Sequence, residues 1–239
     1  AMNELTTPSI DWAGLSPYFI PLFGASVILL GSIFVRKPAR RLFAASGATL
    51  TLLGAFAASV TLFALDREPS GLVADALQRD DLAHLAQTIL FGTAILAVLM
   101  AYRERTSDDH VGEFYGLILA GVAGMAFTAA SSNLMTFFLG LEWFSICLYL
   151  LSAIATKRVA SLEAGLKYLV IGSFASAILL FGLALVYGAT GTIDFVEIGQ
   201  AAEADSLMLV TGLAMVLVGI GFKVSAAPLH QWTPDVYEG

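Results

Sequence analysis

Apolar residues in this chain neither alternate nor recur at amphipathic spacing. They gather into seven long runs, at 17–35, 42–65, 82–102, 114–130, 134–155, 162–187 and from 206 into the C-terminus. A helix needs about 20 predominantly apolar residues to cross a bilayer, so each run predicts a spanning helix. The fold class that follows is an all-α membrane protein with about seven transmembrane helices. In the connecting segment 66–81, Leu72, Val73, Leu77 and Leu82 are spaced to give a short surface helix with an apolar stripe. The segment 188–205 opens on the turn signal Gly188-Ala189-Thr190-Gly191, and its part 195–204 predicts a short amphipathic turn lying on the membrane. The polar, acidic stretch 3–16 is unlike the basic flank of a cleaved signal peptide, and Ala1 before Met2 reads as a cloning scar.

Charge then sets the orientation. Alternate loops carry Arg36, Lys37, Arg40 and Arg41, then Arg103 and Arg105, then Lys157 and Arg158, which is eight of the 12 basic residues. The opposite loops carry only Arg67 and Arg79, with eleven acids that include Glu4, Asp11, Asp66, Glu68, Asp75, Glu203 and Asp205. Basic short loops stay cytoplasmic, so the N-terminus is expected outside. Composition narrows the function class. Only 13% of the 239 residues are charged and 58% are hydrophobic, and mean hydropathy is +0.82. Soluble domains are about 25% charged, so disorder is excluded and a soluble globular enzyme is argued against. A net charge of −7 offers no basic surface to nucleic acid. The single cysteine, Cys147, excludes a disulfide framework and a Cys-rich zinc or iron–sulfur site. No metal-ligand spacing, phosphate loop or nucleophile motif occurs, and no cofactor is expected in this chain.

Candidate chemistry lies where charges interrupt the apolar runs, because an ionised side chain at mid-membrane costs about 2.5–3.5 kcal/mol on insertion scales. Glu142 lies eight residues into the fifth span, about 12 Å below its end at 1.5 Å per residue. On position alone it is either a structural partner for a lysine or a titrating group on a proton path. Lys167 sits about one and a half turns inside the sixth span with Glu163 at i−4, so spacing favours snorkelling or a local ion pair. Lys223 follows Gly219 and Gly221 and precedes Pro228 by five residues. The proline predicts a helix break near Val224. A discontinuous helix with an ionisable residue at its break is how transporters build ion sites, and a lysine, unlike an arginine, can surrender and recapture its proton. His230, seven residues further on, reads equally as a proton relay and as a satisfied core histidine.

These residues also carry a resemblance. The stretches 161–168 (SLEAGLKY), 187–191 (YGATG), 221–223 (GFK) and 228–239 (PLHQWTPDVYEG) resemble the subunit N family of bacterial NADH–quinone oxidoreductase, respiratory complex I. That family comprises antiporter-like, proton-conducting membrane subunits related to Mrp-type cation/proton antiporters. The resemblance implies that Glu142 and the broken-helix Lys223 form the buried pair of a proton half-channel, and that Lys167 and His230 join the proton path. It divides the chain into an outer N-terminal segment (1–16), a three-helix region (17–113) and a first antiporter-like repeat (114–239) truncated in its fourth helix. Because members carry about fourteen helices in inverted repeats, the chain is expected to be an N-terminal half. The implied function is proton translocation coupled to quinone reduction elsewhere in the complex, with no redox chemistry in this chain. The implied partners are the other membrane-arm subunits, the lipid bilayer and protons, in a bacterial inner membrane. Two alternatives stay open: a stand-alone Mrp-type antiporter subunit and a non-conducting structural subunit.

Overall fold

The computed structural model describes residues 10–65, 70–73, 76–104, 110–201 and 206–238. Helix α1 (Ser16–Phe34) carries Pro17 in its first turn, where a missing N–H costs no hydrogen bond. Helix α2 (Lys37–Leu65) follows after a two-residue break, so Arg40 and Arg41 lie in its first turns. Local polar caps then set the starts of several helices. Asp80 Oδ1 accepts the Ala83 N–H at 2.7 Å to open α3 (Asp81–Glu104). After α4 (Val111–Ala129), Asn133 Oδ1 accepts the Thr136 N–H at 2.9 Å and opens α5 (Leu134–Ser152). The 32-residue α6 (Val159–Thr190) is closed by Gly191 at φ 75°, a left-handed position that suits glycine. The short α7 (Phe195–Ala201) matches the surface turn expected there. Ser206 caps α8 (Leu207–Lys223), and α9 (Trp232–Glu238) follows after a non-helical stretch.

Helices α1 to α6 are each long and apolar enough to cross a membrane; α8, with 17 residues, is shorter. It stops at Lys223, and residues 224–231 leave the helical path, with Ser225 at φ 52°. Helix α8, the seventh of the expected spans, is thus interrupted where Pro228 predicts. The chain is a multi-pass, all-α membrane protein. Large apolar side chains such as Phe23, Leu30, Phe34, Leu50, Phe174 and Leu217 are more than half exposed, as expected where the solvent is lipid.

One apolar core joins α1 to α4 and includes Ile28, Leu52, Phe91 and Leu119. A second, with Leu141, Leu179, Leu183 and Leu209, lies between α5, α6 and α8. A third is aromatic and gathers Tyr149, Tyr168, Phe222 and Trp232 around α9. Helix α4 packs on α1 and on α5 and so links the two halves.

The connections at one end are tied by backbone bonds: Gln78 N–H to Ala130 C=O at 2.8 Å, Leu134 N–H to Ile193 C=O at 2.9 Å, and Phe195 N–H to Ser132 C=O at 3.1 Å. Asp11, Asp80, Asp81, Asp194 and Glu197 lie at this end, where Arg79 is 3.3 Å from Asp11. The α1–α2, α3–α4 and α5–α6 connections lie at the other, with Arg36, Lys37, Arg40, Arg41, Arg103, Lys157 and Arg158. Ala1, Glu4, Asp66, Arg67, Glu68, Asp75, Arg105, Glu203 and Asp205 lie outside the described residues.

The segment before α3 departs from expectation. Instead of a surface helix, strands β1 (Ser70–Gly71) and β2 (Gln78–Arg79) pair antiparallel. Leu72 and Leu77 turn inward and are buried, while Leu82 is exposed. The reason is backbone satisfaction: Leu72 donates to Leu77 C=O at 2.9 Å and accepts from the Asp11 N–H at 3.1 Å, partners that a short isolated helix would forgo.

Candidate functional site

Glu142, Ser145 and Tyr149 stand at i, i+3 and i+7 on α5, and therefore on one face. That face meets α6 and the end of α8. Lys223, the last residue of α8, reaches across to it with a side chain only 8% exposed, against 24% for Glu142. Its Nζ lies 3.9 Å from Glu142 Oε1, beyond the usual 2.7–3.2 Å of an N–H···O bond. The ammonium instead donates to Ser145 Oγ at 2.5 Å and to Tyr149 Oη at 3.3 Å. It also stands 5.5 Å from the centroid of the Tyr149 ring, within cation–π range. From α6, Ser176 donates to Glu142 Oε1 at 2.5 Å. The pair is therefore close, shielded and coupled, yet each member has hydroxyl contacts of its own.

The helix break places the lysine. Val224 N–H still bonds Ile220 C=O at 3.0 Å, Ser225 N–H bonds Phe222 C=O three residues back at 3.0 Å, and Ala226 N–H reaches five residues back to Gly221 C=O at 2.8 Å, so the last turn loses the regular helical spacing and the chain turns away. Thr233 donates to Ser225 Oγ at 2.8 Å and ties the turn to α9. Trp232 stacks on Tyr168 with centroids 4.6 Å apart and planes 9° apart, and Phe222 stacks on the same indole at 5.0 Å. Tyr168 in turn meets the edge of Tyr149 at 4.7 Å. A continuous aromatic contact thus runs from α9 to the side chain that holds Lys223.

Lys167 belongs to a separate cluster. Its Nζ lies 2.8 Å from Glu163 Oε1 on its own helix and 2.8 Å from Asp235 Oδ2 on α9. The side chain is 43% exposed and lines a cavity of about 170 Å³ with Glu163, Asp235 and Glu238. It ties α9 to α6 and makes no contact with the Glu142–Lys223 pair among the interactions described. His230 is exposed in the turn before α9, where its carbonyl accepts the Thr233 N–H at 3.1 Å. Of the four candidates, the fold brings Glu142 and Lys223 together and sets Lys167 and His230 apart from them.

Ser145, Tyr149 and Ser176 are the site residues that sequence reasoning missed. The signal for the first two was the polar stripe at i+3 and i+7 from Glu142. Ser176 carried none, because only the packing of α6 on α5 aims it at the carboxylate.

Residues 131–239 match the family model described as NADH:quinone oxidoreductase/Mrp antiporter, transmembrane. The chain is 35% identical to NADH-quinone oxidoreductase subunit N 2 of Roseiflexus castenholzii over 246 aligned positions, covering all of this chain and 48% of the relative. It is 38% identical to subunit N 1 of Herpetosiphon aurantiacus, covering all of this chain and 50% of that protein. It thus spans about half the length of these curated relatives. Among solved structures, a chain of respiratory complex I from Thermus thermophilus superposes with a TM-score of 0.77 at 28% identity, covering 93% of this chain and 47% of that one. A chain of the Mrp complex from Dietzia shares the fold at 22% identity, with a TM-score of 0.74 and coverage of 95% and 44%.

Proposed function

The chain belongs to the NADH:quinone oxidoreductase/Mrp antiporter family of membrane proteins, and from that premise we propose that it is a proton-translocating, antiporter-like subunit of an NADH–quinone oxidoreductase. The observation that carries this reading is a lysine at a helix break, nearly buried between spanning helices and 3.9 Å from a glutamate. An intramembrane pair of this kind costs too much to persist without a use or a compensating partner. Here its members stand close enough to interact and far enough apart to exchange partners. Charge changes along the membrane arm alter the Glu142–Lys223 attraction and drive Lys223 to take up or release a proton. Lys167 and His230 serve the hydrated path on the side where α9 packs. Redox chemistry takes place in other subunits, and this chain holds no nicotinamide, flavin or iron–sulfur group. The N-terminus faces outward, the basic connections face the cytoplasm, and the membrane is the bacterial inner one.

The test is substitution of Lys223 in the full-length protein within its membrane complex. Lys223→Ala abolishes proton translocation while assembly survives. Lys223→Arg fails too, since arginine keeps its charge but cannot deprotonate. Normal pumping by Lys223→Arg would sink the proposal.

The family description names both complex types, and the fold is shared with an Mrp complex chain, which keeps a second reading: a subunit of a stand-alone cation/proton antiporter. Sodium-dependent proton exchange in membranes lacking redox subunits supports that reading. Co-purification with quinone-reducing activity supports the first.

A further inference from the structure

Resting on that reading, we propose that Ser145 and Tyr149 are positioning residues for Lys223, a pair of hydroxyls that holds the ammonium beside Glu142 without letting it close onto the carboxylate. Donor accounting carries this. Ser145 is fully buried and its hydroxyl proton goes to Leu141 C=O, one turn back, at 2.5 Å. A serine hydroxyl has one proton and two lone pairs, so towards Lys223 Nζ at 2.5 Å it acts as acceptor. Tyr149 Oη takes a second ammonium proton at 3.3 Å. Two of the three N–H groups are thereby turned along α5 and away from Glu142 Oε1, which stays 3.9 Å off.

The cradle is built from outside as well. A Cβ on Gly172 of α6 would lie 2.3 Å from Tyr149 Oη, so glycine leaves the room that the hydroxyl needs. The edge contact of Tyr149 with Tyr168, one turn before Gly172 on α6 and itself stacked on Trp232 of α9, restrains the ring further. Neutral hydroxyls satisfy the ammonium without the deep attraction of a direct ion pair. The lysine therefore keeps two places to stand along one helix face, one against the hydroxyls and one against Glu142.

The experiment compares Ser145→Ala, Ser145→Thr, Tyr149→Phe and Lys223→Ala in the full-length protein within its host membrane complex. Proton-gradient formation is read by dye quench in membrane vesicles and normalised to assembled protein. Loss of a hydrogen bond to a charged group lowers the initial rate about tenfold in Ser145→Ala and Tyr149→Phe, with assembly unchanged, and Ser145→Thr recovers most of the rate. A packing role predicts the reverse order at position 145, since alanine fits the buried site and threonine overfills it. Parental rates in Ser145→Ala and Tyr149→Phe, beside an inactive Lys223→Ala, would overturn the positioning role and leave the proton reading standing. An active Lys223→Ala would overturn both.

Discussion

Lys223 has three protons to place, and the oxygens described beside it are the hydroxyls of Ser145 and Tyr149 and the carboxylate of Glu142. Ser145 and Tyr149 accept two of them, and Glu142 faces the third across 3.9 Å. Glu142 in turn takes the Ser176 hydroxyl at 2.5 Å. Each charge is therefore partly satisfied by neutral groups, but neither is independent of the other. Removing one member leaves its partner's charge among the spanning helices with neutral partners alone, which costs about 3 kcal/mol. Glu142→Gln is thus expected to lower the unfolding midpoint of the purified protein clearly. Glu142→Gln combined with Lys223→Met removes both charges and recovers part of the loss. Equal or additive destabilisation in the double variant would show that the two residues do not act as a pair.

At the scale of elements, the position of Lys223 depends on how α8 lies against α6. Their backbones touch at Gly182 and Gly212. A Cβ on Gly182 would stand 2.8 Å from Gly212 C=O, and one on Gly212 would stand 2.9 Å from Gly182 C=O. Small residues at a crossing allow this approach, which stabilises helix pairs in lipid through close packing. Gly182→Val is expected to push the helices apart at a cost of about 1–3 kcal/mol, read as a lower thermal midpoint in detergent. Gly199 on α7 has open space around it, so Gly199→Ala is neutral or stabilising in the same assay. Break and clamp act together here. Helix α9 is held to α6 by the Trp232–Tyr168 stack and the Lys167–Asp235 bond. Of the two, the stack is buried while the ion pair is exposed and screened, so the aromatic contact dominates.

For the whole molecule, the described basic residues separate by end. Apart from Arg79, Lys167 and Lys223 they cluster at the α1–α2, α3–α4 and α5–α6 connections, whereas acids stand at both ends, Asp11, Asp80, Asp81, Asp194 and Glu197 at the one braced by β1 and β2 and Glu113 and Glu163 at the other. This asymmetry predicts the side each end faces. With native Cys147 buried, an Arg36→Cys variant is labelled in inverted vesicles by a membrane-impermeant thiol reagent and stays unlabelled in intact spheroplasts. Gln200→Cys, exposed on α7, shows the opposite pattern. Interchanged labelling would reverse the proposed orientation.

Sequence alone determined the class, the spans and the break, because these depend on local quantities. A run of apolar residues satisfies its own backbone as a helix whatever packs beside it, and a proline removes a donor wherever it stands. Burial cost likewise marked Glu142 and Lys223 without reference to neighbours, whereas Lys167, singled out on the same ground, has a side chain 43% exposed. What those charges face depends on residues far apart in the chain, and tertiary packing decided it. It set Lys223 among Ser145, Tyr149 and Glu142, 74 to 81 positions away, and sent Lys167 to Asp235, 68 positions away. It also turned the stretch around Leu72 and Leu77 from an expected helix into a paired ribbon, because the N-terminal segment and the α4–α5 connection offered hydrogen-bond partners. Hydropathy is a property of a segment, whereas the partner of a buried charge is a property of the fold.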